Sequence, residues 1–183
     1  MYLISAYFDD NSSKTLQRYI NKIAYKTGNT YMVDKSVPPH MTLLSIEAKN
    51  VEVLVPYFEK MQDKFCADSM KVASVGMLMP YVIYAAPVLN KYLIDLMDIV
   101  YDGMSGIQDT MISRYYKPLQ WMPHITLGKK MSKEQMQIAV GVLRDEFVPF
   151  EAEIVQIGLA KVNPHIDVVT YNINKTQTSI TKL

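Results

Sequence analysis

Pro39-His40-Met41-Thr42-Leu43 and Pro123-His124-Ile125-Thr126-Leu127 are the stretches of this 183-residue chain whose residue types could do chemistry. Each sets an imidazole two residues ahead of a hydroxyl. Proline biases the residue before it toward extended backbone, and the alternation that follows has a strand's period of two. His and Thr therefore share one face of each strand, and the aliphatic residues take the other. A lone His after a Pro is more often a hydrogen-bonded structural residue than a catalyst. The same Pro, His and Thr at two of only three histidines are poorly explained that way. Two imidazoles titrate near neutrality, so one can begin as neutral base and the other as imidazolium acid, while the hydroxyls donate to charged oxygens. Those are the three jobs of metal-free phosphodiester cleavage. The set suits in-line attack at phosphorus by water on a 2',3'-cyclic phosphate, by water on a 2'-5' linkage, or by a neighbouring ribose hydroxyl, and reversibility also permits ligation.

The elements that hold these strings can be read in order. Tyr2–Phe8 reads as a buried first strand, and Asp9 to Ser12 supply a cap. Leu16, Tyr19, Ile20, Ile23 and Ala24 then predict a helix over Ser13–Lys26, stopped at Gly28. A loop from Tyr31 to Pro38 leads into the first string, whose strand continues to Glu47. Val53, Leu54, Tyr57, Phe58 and Met61 predict a second helix over Asn50–Lys64, with Pro56 in its first turn or at a kink. Met70–Leu78 and Tyr81–Ala86 read as strands around Met79-Pro80, and Leu89–Met104 as a helix. Gly103–Gln120 is a long connection, of a length that tends to be functional or mobile. Ser132–Phe147 is predicted as a helix with Ser132 as N-cap and Gln135 at the capping-box position. Phe150–Val162 and Ile166–Ile173 read as closing strands joined at Asn163-Pro164-His165, and residues 174–183 as a frayed polar tail.

Strand, helix, string-bearing strand, helix, strand thus occurs from Tyr2 to Leu78 and again from Tyr81 to Val162. His124 and Thr126 follow His40 and Thr42 by the same 84 residues (124 − 40 and 126 − 42). Internal duplication sets equivalent residues about a pseudo-two-fold axis. The expected fold is α+β, with two pseudo-symmetric lobes of mainly antiparallel sheet flanked by helices, forming one domain over residues 1–183. The two strings should face each other across a central cleft.

Composition narrows the function classes. With 49% hydrophobic residues, 20% charged residues and a net charge of +1, the chain has the make-up of an ordinary globular domain. It lacks the basic excess of a protein that wraps duplex DNA, which leaves a nucleotide or short RNA as the nucleic-acid partner. Cys66 is the single cysteine, so no internal disulfide can form, and no Cys/His cluster has metal-ligand spacing. Neither a metal nor another cofactor is expected. The first ten residues lack a basic region followed by a long apolar run, and no stretch approaches the ~20 apolar residues of a membrane span. A monomer in the cytoplasm is the expectation.

The paired H-x-T strings resemble those of the two-histidine (2H) phosphoesterase superfamily, in its bacterial 2'-5' RNA ligase-like (LigT-like) branch, and the order of elements fits along the whole chain. The resemblance implies that His40, Thr42, His124 and Thr126 form a catalytic tetrad. It also implies a basic residue just beyond the second string, where Lys129 stands in place of the more usual Arg. Ser45 occupies the matching place after the first string, so the lobes differ chemically. Tyr7, Tyr115, Tyr116 and Trp121 are candidate stacking platforms for a base, and Arg114 and Lys117 candidate phosphate-binding residues of a lid. His165 lacks the Thr two residues on and reads as a hairpin residue. The resemblance implies a metal-independent phosphoesterase on nucleotide or RNA phosphodiesters, foremost 2',3'-cyclic or 2'-5'-linked ones. The alternatives are a phosphodiesterase of cyclic oligonucleotide signals and a nucleotide-binding module with little turnover.

Overall fold

The apolar runs and caps of the sequence become eight strands and five helices over residues 1–174, the part of the chain that this computed structural model describes. Strand β1 (Tyr2–Phe8) is almost wholly buried. Helix α1 (Asp10–Thr27) starts where the Asp9 carboxylate accepts from the Asn11 and Ser12 N–H groups, and it buries Leu16, Tyr19, Ile20, Ile23 and Ala24. It ends at Gly28, whose φ of 70° suits a residue without Cβ and lets its N–H reach the Ala24 carbonyl. The stretch expected as a loop holds a short helix α2 (Tyr31–Asp34) before β2 (His40–Glu47).

The helix expected over Asn50–Lys64 is not continuous. A turn at residues 51–54 is followed by α3 (Val55–Glu59) and a 3-10 turn at Gln62–Lys64. Pro56 sits in the first turn of α3, where its missing N–H costs nothing, so the helix begins there rather than running through it. Leu54, Phe58 and Met61 are buried all the same, because successive turns present the same spacing to the core as one helix would.

Strands β3 (Asp68–Leu78) and β4 (Val82–Pro87) form a hairpin, and α4 (Lys91–Met104) starts at an Asn90 cap whose side chain accepts from Leu93 N–H. Leu89, expected on its apolar side, precedes the helix and is exposed. The connection to the second string contains strand β5 (Met111–Ile112), paired with β2, and a 3-10 turn at Arg114–Tyr116. Strand β6 (Ile125–Gly128) leads to α5 (Lys133–Glu146), where the Ser132–Gln135 capping box forms in full. Strands β7 (Phe150–Lys161) and β8 (Ile166–Asn172) close the chain. The expectation for residues 174–183 lies outside the described residues apart from Asn174, whose carbonyl accepts the Ala67 N–H.

All strand pairings are antiparallel and run β1-β2-β6-β4-β3-β7-β8, with β1 also paired to β7. The first six strands in that order therefore close a ring. Exchanging β1 with β4, β2 with β6 and β3 with β7 maps that ring onto itself, as an internal two-fold requires. The helices obey the same exchange, since α1 packs on α5 and β6 while α4 packs on α3 and β2. Each half of the sequence thus covers the other half's string-bearing strand with its first helix. The buried core is continuous through both sides, and Leu16, Tyr19, Met41, Leu43, Phe58, Ile125 and Leu159 are among its most enclosed residues.

The two strings meet on the axis of this exchange. Met41 and Ile125 are register partners of β2 and β6, and both are 0% exposed. Their neighbours in sequence point to the opposite face. Antiparallel direction sets His40 toward the Thr126 end of the seam and Thr42 toward the His124 end.

Candidate active site

Each histidine is oriented by its own chain. His40 Nδ1 lies 2.8 Å from the Pro38 carbonyl oxygen, and His124 Nδ1 lies 2.9 Å from that of Met122. A carbonyl can only accept, so Nδ1 carries the hydrogen in both rings and Nε2 is left to hold or release a proton. The extended run into each string therefore fixes the tautomer as well as the strand. A tyrosine ring supports each imidazole. The Tyr84 ring meets His124 edge-on at 5.5 Å, and the Tyr7 ring is tilted against His40 at 6.1 Å. Both tyrosines lie over a glycine of the adjacent strand, where a side chain would collide. At Gly158 a Cβ would stand 2.9 Å from Tyr7 Cε2, and at Gly76 it would run into the Tyr84 hydroxyl.

His40, Thr42, Ser45, His124, Thr126 and Lys129 line one cavity of about 310 Å³, at the small end of ligand-pocket sizes. The tetrad expected from the sequence is gathered in that cavity, with Lys129 beside it. Tyr116 lines it too, and burial raises the pKa of its phenol above the ordinary value against a smaller lowering by the Thr42 side chain. Trp121 Nε1 donates to the Thr42 carbonyl oxygen at 3.0 Å, which fastens the connection ahead of β6 to β2. The electrostatics of the His40 ring are distinctive. Burial pushes its pKa below the ordinary imidazole value, and His165, His124 and Lys129 push the same way against the opposing Pro38 carbonyl.

The remaining candidates sit elsewhere. Tyr7 is 7% exposed, supports His40 from behind and gives its hydroxyl to Asp167, so its ring is not a free platform for a base. Arg114 and Tyr115 are paired with each other, by a guanidinium–hydroxyl hydrogen bond of 2.8 Å and a guanidinium lying 4.8 Å over the ring, and neither lines the cavity. Trp121 and Lys117 are not on the cavity wall either. Of the four aromatic candidates only Tyr116 lines the cavity.

Other wall residues carried no signal in the sequence. Tyr31 and Lys35 come from α2 and its end, and Asn163, Pro164 and His165 from the turn between β7 and β8. His165 is the exception: the sequence marks it as a hairpin residue, and it stands in that turn but also lines the cavity. Among the described residues no three His, Cys, Asp or Glu side chains cluster as metal ligands do, and no helix is long and apolar enough to cross a membrane.

No family model matches this sequence, and no curated protein matches it. Solved structures do match in shape. A Thermus thermophilus protein, TT0787, is similar with a TM-score of 0.65 at 16% identity, over 94% of this chain and 97% of that one. Escherichia coli LigT complexed with 3'-AMP is similar with a TM-score of 0.63 at 10% identity, over 95% and 98%. Kluyveromyces marxianus Usb1 is similar with a TM-score of 0.51 at 10% identity, over 91% and 96%. The chain has the LigT-like fold along nearly its whole length.

Proposed function

We propose that this LigT-like chain is a metal-independent phosphoesterase of nucleotide or RNA phosphodiesters, with 2',3'-cyclic phosphates or 2'-5' linkages as its substrates and His40 and His124 as its acid–base pair. The observation that carries the reading is the matched pair of imidazoles, each with Nδ1 held by a carbonyl two residues upstream, lining one cavity with Thr42 and Thr126. In this reading one Nε2 takes the proton of the attacking oxygen as its bond to phosphorus forms. The other Nε2–H protonates the departing ribose oxygen as the old P–O bond breaks. Thr42 and Thr126 donate to the non-bridging oxygens, and Lys129 offsets their charge. The lysine stands after the second string only, with Ser45 at the matching place, so the cavity suits a single scissile phosphate better than a symmetric pair. LigT has been crystallised with 3'-AMP, ATP and NADP+, which supports a nucleotide as ligand.

The test is turnover, in EDTA, of 2',3'-cyclic nucleotides, 2'-5' and 3'-5' dinucleotides and cyclic dinucleotides by the wild type, His40→Ala and His124→Ala. Each variant is expected to lose about 10²- to 10⁴-fold in kcat while keeping its fold. Preference for the cyclic dinucleotides would move the substrate to cyclic oligonucleotide signals. Binding without turnover would make the chain a nucleotide-binding module, and activity that survives both substitutions would sink the acid–base assignment.

A further inference from the structure

The two strings do not account for the third histidine of the cavity. His165, in the turn between β7 and β8, stacks on His40 with ring centroids 6.1 Å apart and planes at 26°. Its side chain is only 14% exposed, and its buried Nε2 lies 3.2 Å from Asp167 Oδ1, too poorly aligned for a hydrogen bond but close enough for an ionic contact. The same Asp167 oxygen accepts the Tyr7 hydroxyl at 2.9 Å. Burial and that carboxylate push the Tyr7 phenol's pKa up, so Tyr7 stays a neutral donor. His40 is thus flanked by a histidine and a tyrosine that share one carboxylate. Strand β8, which carries Asp167, has no counterpart in the two-fold exchange, so this trio belongs to the His40 side alone.

Resting on the phosphoesterase reading, we propose that His165, anchored by Asp167 and stacked on His40, is a positioning residue that keeps His40 the neutral member of the pair and thereby makes His40 the base and His124 the acid. A second ring able to carry positive charge against the face of His40 makes a proton on His40 costlier, and the Asp167 carboxylate 3.2 Å from His165 Nε2 holds that ring in place. The groups facing His40 from the elements around it are Tyr7 on β1, His165 and Asp167 on the β7–β8 hairpin, and His124 and Lys129 on either side of the β6 run. For a 2',3'-cyclic phosphate, water's oxygen bonds to phosphorus and gives its proton to His40 Nε2. One ribose P–O bond breaks, and the departing oxygen receives the Nε2 proton of His124. The pair ends with its protons exchanged.

The chain has only three histidines, so NMR titration of the imidazole C–H signals follows each of them, with assignment from the His40→Ala and His124→Ala variants. The probe for activity is a 2',3'-cyclic mononucleotide. Replacing His165 by Gln, or by Phe to retain a stacked ring, removes the neighbouring charge. The pH at which His40 titrates should rise, and the acid limb of kcat/KM should rise with it by about one pH unit, because a base works only when deprotonated. A purely structural His165 would lower activity at every pH and leave that limb in place. An unmoved His40 titration in both variants overturns the proposal, and so does movement of the basic limb instead, which would make His40 the acid. A wild type that turns over no phosphodiester, while its His40 titration still responds to His165, fails the phosphoesterase reading and the base assignment with it, but leaves the coupling of the two rings measured.

Discussion

A carbonyl oxygen less than 3 Å from each Nδ1 decides what the two histidines can do, because it commits both rings to the tautomer that exposes Nε2. The threonines are less alike than their motifs. Thr42 shares the cavity wall with Tyr116, and its carbonyl accepts from Trp121, whereas Thr126 is the register partner of Tyr84 on β4. If both donate to phosphoryl oxygens, Thr126→Val should cost about 10²- to 10³-fold in kcat with little change in KM, as removal of one oxyanion donor does. Thr42→Val should cost as much. Steady-state kinetics on one cyclic nucleotide check both, and a Thr126→Val variant with wild-type kcat would remove it from the reaction. At this scale the four residues that share the cavity were legible as a set because a duplicated motif survives without knowledge of the fold. The packing of Tyr7 and His165 against His40 was not, since a side chain's burial and its partners far along the chain leave no local mark.

Strands and turns transmit these side-chain positions, and the two glycines beneath the tyrosines show how. Gly158→Ala places a methyl 2.9 Å from the Tyr7 ring and 3.1 Å from Thr170 Cγ2, on backbone that cannot move freely in the middle of β7. We expect it to destabilise the protein by about 1–3 kcal/mol and to lower activity through His40. Gly141, in the middle of α5, has open space where a Cβ would stand, with nothing within 4 Å. Gly141→Ala should therefore stabilise by roughly 0.5–1 kcal/mol through helix propensity alone. Thermal melts of the two variants separate the cases, and equal effects would contradict the close approach at Gly158. Caps and strand runs could be read from local sequence, as the Ser132–Gln135 box and the Asp9 cap illustrate. The stretch from Asn50 to Lys64 could not, because three short turns bury Leu54, Phe58 and Met61 as well as one helix would.

At the scale of the whole molecule the site depends on a narrow seam. The two strings are joined through the Met41–Ile125 pair of β2 and β6, and each string's histidine and threonine flank that pair. Ile125→Ala, at a position with no exposure, should cost about 2–5 kcal/mol of stability. It should also reduce turnover more than an equally destabilising core change far from the seam, such as Leu143→Ala. Denaturation midpoints beside kcat on a cyclic nucleotide test this, and equal loss of activity in both would mean the seam does not set the geometry. The sequence by itself determined the two H-x-T strings, their 84-residue offset and most of the order of the elements, because motif, period and spacing are properties of the chain read locally. Only the tertiary structure decided that each half's first helix covers the other half's strand, that β2 and β6 join at one residue pair, and that a turn far along the chain from His40 brings a third imidazole against it. Those are long-range packings, chosen by which faces can be buried together, and no neighbouring residues encode them.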